Sequence, residues 1–154
     1  MKGQISKPPL LNKPVTGWCE WVDVPTVSPL PILAKMDTGA RTSSLHALDV
    51  HLVTLEEGVF VQFKVHPKQR SRLPELICQA PLLEQRIFKD SGGHREKRYV
   101  VSVGLHMGGK SWPIELSLTN RSTMGFRLLL GRTALRGWLV APGKSHILTR
   151  KHLD

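Results

Sequence analysis

The sequence predicts an all-β domain whose strands close into a barrel, with one short helix near the C-terminus. Three observations carry this expectation. Apolar and polar side chains alternate with period two, as at Val59, Val61, Phe63 and Val65 in "VFVQFKV", the spacing that turns one face of a strand toward a core. The 11 prolines and 13 glycines cut the chain into short apolar runs, the punctuation of strands and turns. Only "GRTALRG", Gly131 to Gly137, has the look of a helix, entered from the apolar "FRLLL" and closed by glycine. Many short strands in one chain dispose of their unpaired edges by closing on themselves.

In chain order, residues 1–17 carry three prolines and little periodicity, and read as an extended N-terminal arm ahead of one domain over 18–154. "WCEWVDV" and "PILAKMD" are each a strand. Ser44 to Leu55 alternates and pairs with "VFVQFKV" as a half-buried antiparallel pair that turns at Gly58. "HPKQRSRLPE", His66 to Glu75, is a basic loop bounded by prolines. Further strands fit Leu76–Leu83, Arg98–His106 and Trp112–Leu118, with a Gly-rich hairpin, "FKDSGGHREKRYV", between the first two.

A chain of 154 residues with 40% hydrophobic content fits a single domain with a real core. It lacks a run of about 18 apolar residues to span a membrane, and its start lacks the continuous apolar segment of a secretory signal, so a soluble, cytoplasmic protein is expected. Cys19 and Cys78 are too few and too far apart for a zinc ribbon or redox pair, and are expected as buried, reduced thiols without chemistry. The charge is more telling: 22 Lys plus Arg against 12 Asp plus Glu leaves +10, which points to an acidic partner. One Tyr and four Phe offer little for base stacking, and no helix-turn-helix, zinc-finger or RNP pattern is present. An acidic peptide therefore suits the charge better than nucleic acid.

Asp37-Thr38-Gly39, in "AKMDTGARTSSLHA", reads on its own as an ordinary turn. It gains meaning from a second element, "LLLGRTAL" (Leu128 to Leu135), in which an apolar strand runs into Gly131 and the basic Arg132. Together, over roughly Val22 to Arg136, these segments and the hairpin between them resemble the retropepsins, the dimeric aspartic proteases of retroviruses. A closer resemblance is to a bacterial branch of that class, the RimB-like family also called ATP-dependent zinc proteases and associated with RimK-type glutamate ligases. It rests on "KMDTGARTSSLHA", "VHPKQR", "DSGGHREKRYVV", "GGKSWPIELSLTNR" and "MGFRLLLGRTAL". The zinc in that name has no support in the residues. There is no H-E-x-x-H, the seven His are scattered without ligand spacing, and His94-Arg95-Glu96 lacks the P-C-x-x-C partner of a zinc deaminase. Neither a metal nor another cofactor is expected.

The resemblance implies a closed retropepsin-like acid-protease barrel working as a homodimer. Aspartic-protease chemistry uses two carboxylates sharing one proton, because two like charges so close cannot both ionise. A chain with a single Asp-Thr-Gly supplies one of them, so Asp37 is expected to meet its copy across a twofold axis, with Thr38 bracing the loop and Gly39 letting backbone N–H groups approach. The substrate would lie against Ala40, Arg41, Gly131 and Arg132, under a flap formed by Ser91, Gly92, Gly93, His94 and Arg95, with Arg70 contributing from the basic loop. Arg41 stands where the viral enzymes have an aspartate that pairs with the arginine of the Gly-Arg segment. Arg132 would then face a like charge, relieved by Glu20, by Asp23 or by an anionic substrate. Trp18, Trp21, Trp112 and Trp138 read as packing, and His46 and His66 as structural histidines.

The expected function is that of a homodimeric aspartic endopeptidase acting on an acidic peptide. By resemblance to the ligase-associated family, that peptide would be an oligoglutamate tail on a glutamylated protein. A catalytically silent peptide-binding module on the same fold is the second reading, and a nucleic-acid-binding β-barrel the third.

Overall fold

The alternating pattern becomes eleven strands in the computed structural model, which describes residues 12–120 and 125–148. In chain order they are β1 (Val15–Gly17), β2 (Cys19–Val22), β3 (Ile32–Met36), β4 (Ser43–His46), β5 (Leu48–Leu55), β6 (Gly58–Val65), β7 (Leu76–Lys89), β8 (Arg95–Met107), β9 (Lys110–Thr119), β10 (Leu128–Leu130) and β11 (Leu139–Ala141). Nine lie in one sheet, ordered β2-β3-β10-β4-β9-β8-β7-β6-β5, while β1 and β11 pair in parallel beside it. Residues 1–11 of the expected arm lie outside the described residues, and Val15–Gly17 of that arm are β1.

The expected barrel does not close among the described residues. The ladder ends at β2 on one side and at β5 on the other. The sheet curls only far enough for the end of β2 to reach β8, where Asp23 N–H bonds His106 O at 3.0 Å and His106 N–H bonds Asp23 O at 2.8 Å. β5 carries its own obstacle to further pairing: Asp49 has φ 50°, and the register with β6 slips between Leu48 and His51. Such a bulge bends an edge strand away from new partners.

The helix expected over "GRTALRG" is instead a run of turns. One helical bond forms, from Leu135 N–H to Gly131 O at 3.1 Å, and then Trp138 N–H bonds Leu135 O at 2.9 Å while Gly137, at φ 90°, redirects the chain. So short a segment cannot offset the entropy of nucleating a helix. The strand expected from Ser44 to Leu55 also divides, at Ala47. β4 pairs with β9 and β10, whereas β5 alone pairs with β6, and the hairpin turn falls at Glu56 and Glu57, just before Gly58.

Period-two burial builds the core. Val61, Phe63 and Val65 of β6, Ile32 and Ala34 of β3, Leu45 of β4 and Leu128 and Leu130 of β10 all turn inward to meet Leu105 and Leu116. Each such side chain contributes about 1.5–3 kcal/mol when fully buried. Trp112 donates through Nε1 to Ala134 O at 3.0 Å and packs on Trp138 at 5.9 Å, so this pair holds the turns after Gly131 against β9. Cys19 and Cys78 are free and buried, and burial pushes the Cys78 thiol up to about 11. A thiol so raised stays protonated near neutrality and is a poor nucleophile. No helix among the described residues is long and apolar enough to cross a membrane.

The most expensive residue in the core is Glu20, which is fully buried on β2. Its Oε2 accepts Gly17 N–H at 2.8 Å and Ile147 N–H at 3.0 Å, and its Oε1 accepts Leu148 N–H at 3.2 Å. One carboxylate thus ties β2 to the C-terminal segment by satisfying three backbone donors. Glu20→Ala should cost about 3 kcal/mol or more, since each stranded buried donor carries a penalty of about 1–3 kcal/mol. Urea unfolding measures this, and a loss below about 1 kcal/mol would mean that water replaces the carboxylate there.

Candidate active site

β3 delivers Asp37. The strand ends at Met36, and Asp37 N–H immediately bonds Leu130 O of β10 at 2.8 Å, continuing the parallel pairing of Leu130 with Met36. The loop then folds on itself: Gly39 N–H donates to Asp37 Oδ1 at 3.1 Å and Ala40 N–H to Asp37 O at 3.2 Å. The carboxylate is thereby oriented by its own loop, with its second oxygen available to the cleft in front.

The segment after β10 clamps this loop. Arg132 N–H bonds Ala40 O at 2.8 Å, its guanidinium donates through Nη1 to Thr38 O at 3.0 Å, and Thr133 gives both its N–H and its hydroxyl to Arg41 O at 3.1 and 2.9 Å. Gly131 N–H donates to Ser43 Oγ at 3.0 Å. The two chains pass so closely at Gly131 that a Cβ would stand 2.8 Å from Thr42 C and 2.9 Å from Ala40 O. Only glycine fits, because the obstructing atoms are backbone.

Above the loop stands the hairpin of β7 and β8. Its tip is closed by Asp90, which accepts Gly93 N–H on its carbonyl at 3.1 Å and His94 N–H on Oδ1 at 2.8 Å, with Gly93 at φ 86°. Between hairpin and loop lies a cleft of about 910 Å³ lined by Asp37, Gly39, Ala40, Arg41, Thr42, Ser44, Glu115, Leu129, Thr133 and Arg136 from below, and by Arg86 to Asp90, His94, Glu96 and Arg98 from the hairpin. Of the residues expected at the site, the structure brings together Asp37, Gly39, Ala40, Arg41 and His94. Thr38, Gly131 and Arg132 act from behind, as the clamp. Ser91, Gly92, Gly93 and Arg95 are exposed at the tip, and Arg70 is exposed on its own loop, all outside the cleft lining.

Arg132 is not left facing Arg41 for want of a partner, since its guanidinium is bound to the Thr38 carbonyl. Neither acidic residue considered for it is engaged there: the Glu20 carboxylate is consumed by backbone donors, and Asp23 forms no ion pair with Arg132 among the described residues. Among the described residues, Arg41, Lys89 and Arg136 form no ion pair with a carboxylate.

Three cleft arginines are not singled out by the sequence: Arg136 on the floor, and Arg86 and Arg98 on the hairpin. Arg86 binds Glu84 through Nε and Glu115 Oε2 through both terminal nitrogens at 3.2 Å. Hydrogen bonding to Glu84, opposed by burial and aided by Glu115, raises its pKa and keeps the guanidinium charged. Arg98 binds Glu96 at 2.9 Å and lies 4.8 Å over the Phe88 ring. Only the hairpin register shows that these residues share the cleft, and no local motif marks it. No three His, Cys, Asp or Glu side chains among the described residues converge as metal ligands.

A strand ending in Asp-Thr-Gly, clamped by an apolar strand that runs into Gly-Arg and faced by a long hairpin, defines a retropepsin-like protein. The chain belongs to the RimB-like family within that class: the family model described as retropepsin-like aspartic endopeptidase RimB matches residues 15–151. It is 42% identical over 91% of its length to a protein of Shewanella pealeana named "Probable alpha-L-glutamate ligase", and 43% identical over 90% to one of the same name from Parasynechococcus marenigrum. The chain spans under a third of those relatives, 31% and 30% of their lengths. A crystal structure of protein Lpg0085, of unknown function, from Legionella pneumophila superposes with a TM-score of 0.74 at 25% identity, covering 88% of this chain and 98% of that one.

Gly131→Ala tests the clamp. Overpacking against immobile backbone costs about 1–3 kcal/mol or more, so its denaturation midpoint should fall well below that of the unsubstituted protein. Unchanged stability would mean that the crossing has slack and does not hold the Asp37 loop.

Proposed function

We propose that the protein is an aspartic endopeptidase that works as a homodimer on acidic peptides, with Asp37 of each copy forming half of the catalytic pair. One observation carries the reading: in a cleft lined by four carboxylates, three are already engaged. Glu115 is held by Arg86, Glu96 by Arg98, and Asp90 by the His94 backbone and ring. The Asp37 carboxylate, among the described residues, is bonded only within its own loop and faces the cleft. The second carboxylate of the mechanism therefore comes from a second copy.

In this mechanism the two Asp37 carboxylates share one proton. The ionised member takes a proton from water as the oxygen attacks the scissile carbonyl carbon, and the protonated member gives its proton to the carbonyl oxygen. Collapse of the tetrahedral gem-diol breaks the C–N bond: the leaving nitrogen takes a proton from the protonated carboxyl, a hydroxyl of the intermediate gives its proton to the ionised one, and the shared-proton state returns. Arg41, Lys89 and Arg136 supply positive charge around the reacting bond, which favours substrates rich in Glu or Asp. The names of the relatives support a glutamate-based substrate: a segment like this chain sits within longer proteins named for joining glutamate. A peptidase that removes what such a ligase adds would act on an oligoglutamate tail, inside the cell.

Asp37→Asn keeps the size of the side chain and removes the acid–base function. Incubated with an oligoglutamate-tailed peptide and read by mass spectrometry, it should cleave at least a hundredfold more slowly than the unsubstituted protein, in line with the roughly 10²–10⁴-fold contribution of a positioned acid or base. A chelator should leave the unsubstituted activity intact. Activity retained by Asp37→Asn and lost on chelation would replace the aspartic mechanism with a metal-dependent one. A folded protein that binds the tail without cutting it would make the chain a peptide-binding module.

A further inference from the structure

Arg86 on β7 and Arg98 on β8 are directly opposite each other in the hairpin register, and both line the Asp37 cleft. Like charges set opposite one another across a strand pair destabilise it, so this rung needs anions. Its present anions differ from its cations in one respect. The arginines are held: the Arg98 side chain is 10% exposed, braced by Ser44 Oγ at 3.3 Å and Ser117 Oγ at 3.4 Å and stacked on Phe88. Arg86 is 31% exposed and also reaches Thr42 Oγ1 at 3.5 Å. The glutamates are more exposed, with Glu84 at 52%, Glu115 at 46% and Glu96 at 48%, although Glu96 Oε1 also accepts the Thr119 hydroxyl at 3.1 Å. A fixed cation whose counterion is half in water is a site where an incoming carboxylate can exchange at small cost, because the displaced glutamate is resolvated as it leaves.

We propose that Arg86 and Arg98 form the subsite that receives acidic side chains of the peptide, with Glu84, Glu115 and Glu96 pairing with them until the substrate binds. This rests on the reading of the Asp37 cleft as a peptide site. It also links recognition to the hairpin: both guanidiniums already bridge from the hairpin to the floor, Arg86 to Thr42 and Glu115, Arg98 to Ser44 and Ser117. A substrate carboxylate bound at the rung would therefore lie beneath the hairpin, on the side of the cleft that holds Asp37.

The alternative is that these are structural ion pairs that only lash the hairpin to β9. The two accounts predict opposite outcomes for the glutamates, and binding to the Asp37→Asn protein separates them without turnover. Fluorescence anisotropy with a labelled oligoglutamate peptide should show Glu96→Gln and Glu115→Gln, each added to Asp37→Asn, binding severalfold tighter than Asp37→Asn alone. Arg86→Gln and Arg98→Gln should bind about tenfold or more weaker, the range for a lost charge-assisted contact. An oligoglutamine probe should not respond to any of these changes. Glu57→Gln, in the distant β5–β6 turn, removes the same net charge and should leave oligoglutamate binding unchanged. Equal or weaker binding by both glutamate variants, an equal gain in Glu57→Gln, or full binding by the arginine variants would each overturn the subsite. If an arginine variant fails to fold, the glutamate variants still decide. Oligoglutamate that binds at the rung but is not cut by the unsubstituted protein would leave the subsite standing and remove the peptidase reading. Failure of Asp37→Asn to bind oligoglutamate at all would overturn the subsite itself.

Discussion

The close passage of two backbones at Gly131 is the constraint on which the rest of the site depends. β10 lies between β3, which it meets in parallel, and β4, which it meets antiparallel. The residues just beyond it must therefore cross the loop that joins those two strands. With no room for a Cβ, the crossing brings backbone donors and acceptors into direct register: Asp37 with Leu130, Ala40 with Arg132, and Arg41 with Thr133. The Arg132 guanidinium then closes the arrangement on Thr38, 94 residues earlier in the chain. A loop held by so many backbone bonds has little freedom, and a carboxylate on it is preorganised. Catalysis by a fixed carboxylate pair requires this, since reorganisation at the moment of reaction would add to the barrier.

The same architecture explains why the charges are where they are. The long hairpin carries its own arginines to the cleft and neutralises them locally with Glu84, Glu96 and Glu115. The floor carries Arg41 and Arg136 without such partners among the described residues. On the proposed function, an acidic peptide would meet free positive charge on the floor and exchangeable pairs on the hairpin. Away from the cleft, buried charge is treated differently: Glu20 serves only the backbone. His46 is buried too, and desolvation first, then the charges of Arg127 and His66, lowers its pKa. Being held neutral, it contributes stability that is present above its ordinary value and is lost on acidification.

Much of this was legible in the sequence because its signals are local. Alternation in Val59 to Val65 marks β6, and Asp37-Thr38-Gly39 with Gly131-Arg132 marks the crossing, each spanning only a few residues. What escaped depends on long-range pairing. The period of Ser44 to Leu55 is continuous, yet its two halves join different neighbours, because β9 and β10 claim β4. The predicted closure is not found among the described residues, and one end of the sheet, β5, carries a bulge at Asp49, a backbone feature that alternation does not encode. Arg86 and Arg98 are ordinary charged residues in a strand until the hairpin register, shifted between Leu82 and Glu84, sets them opposite each other over the cleft. Arg95, adjacent to the glycines, looked the better flap residue but is exposed outside the cleft lining.

The central claim is that a single chain holds half of a catalytic site. It is tested most directly by subunit mixing at a fixed concentration of the unsubstituted protein, with peptide cleavage followed as inactive Asp37→Asn protein is added and allowed to exchange. If each site takes one Asp37 from each of two copies, random pairing leaves roughly a quarter of the activity at a threefold excess of the variant. Activity that does not change as the variant is added, from a protein that sediments as a monomer while cleaving, would contradict the claim and place the whole site within one chain.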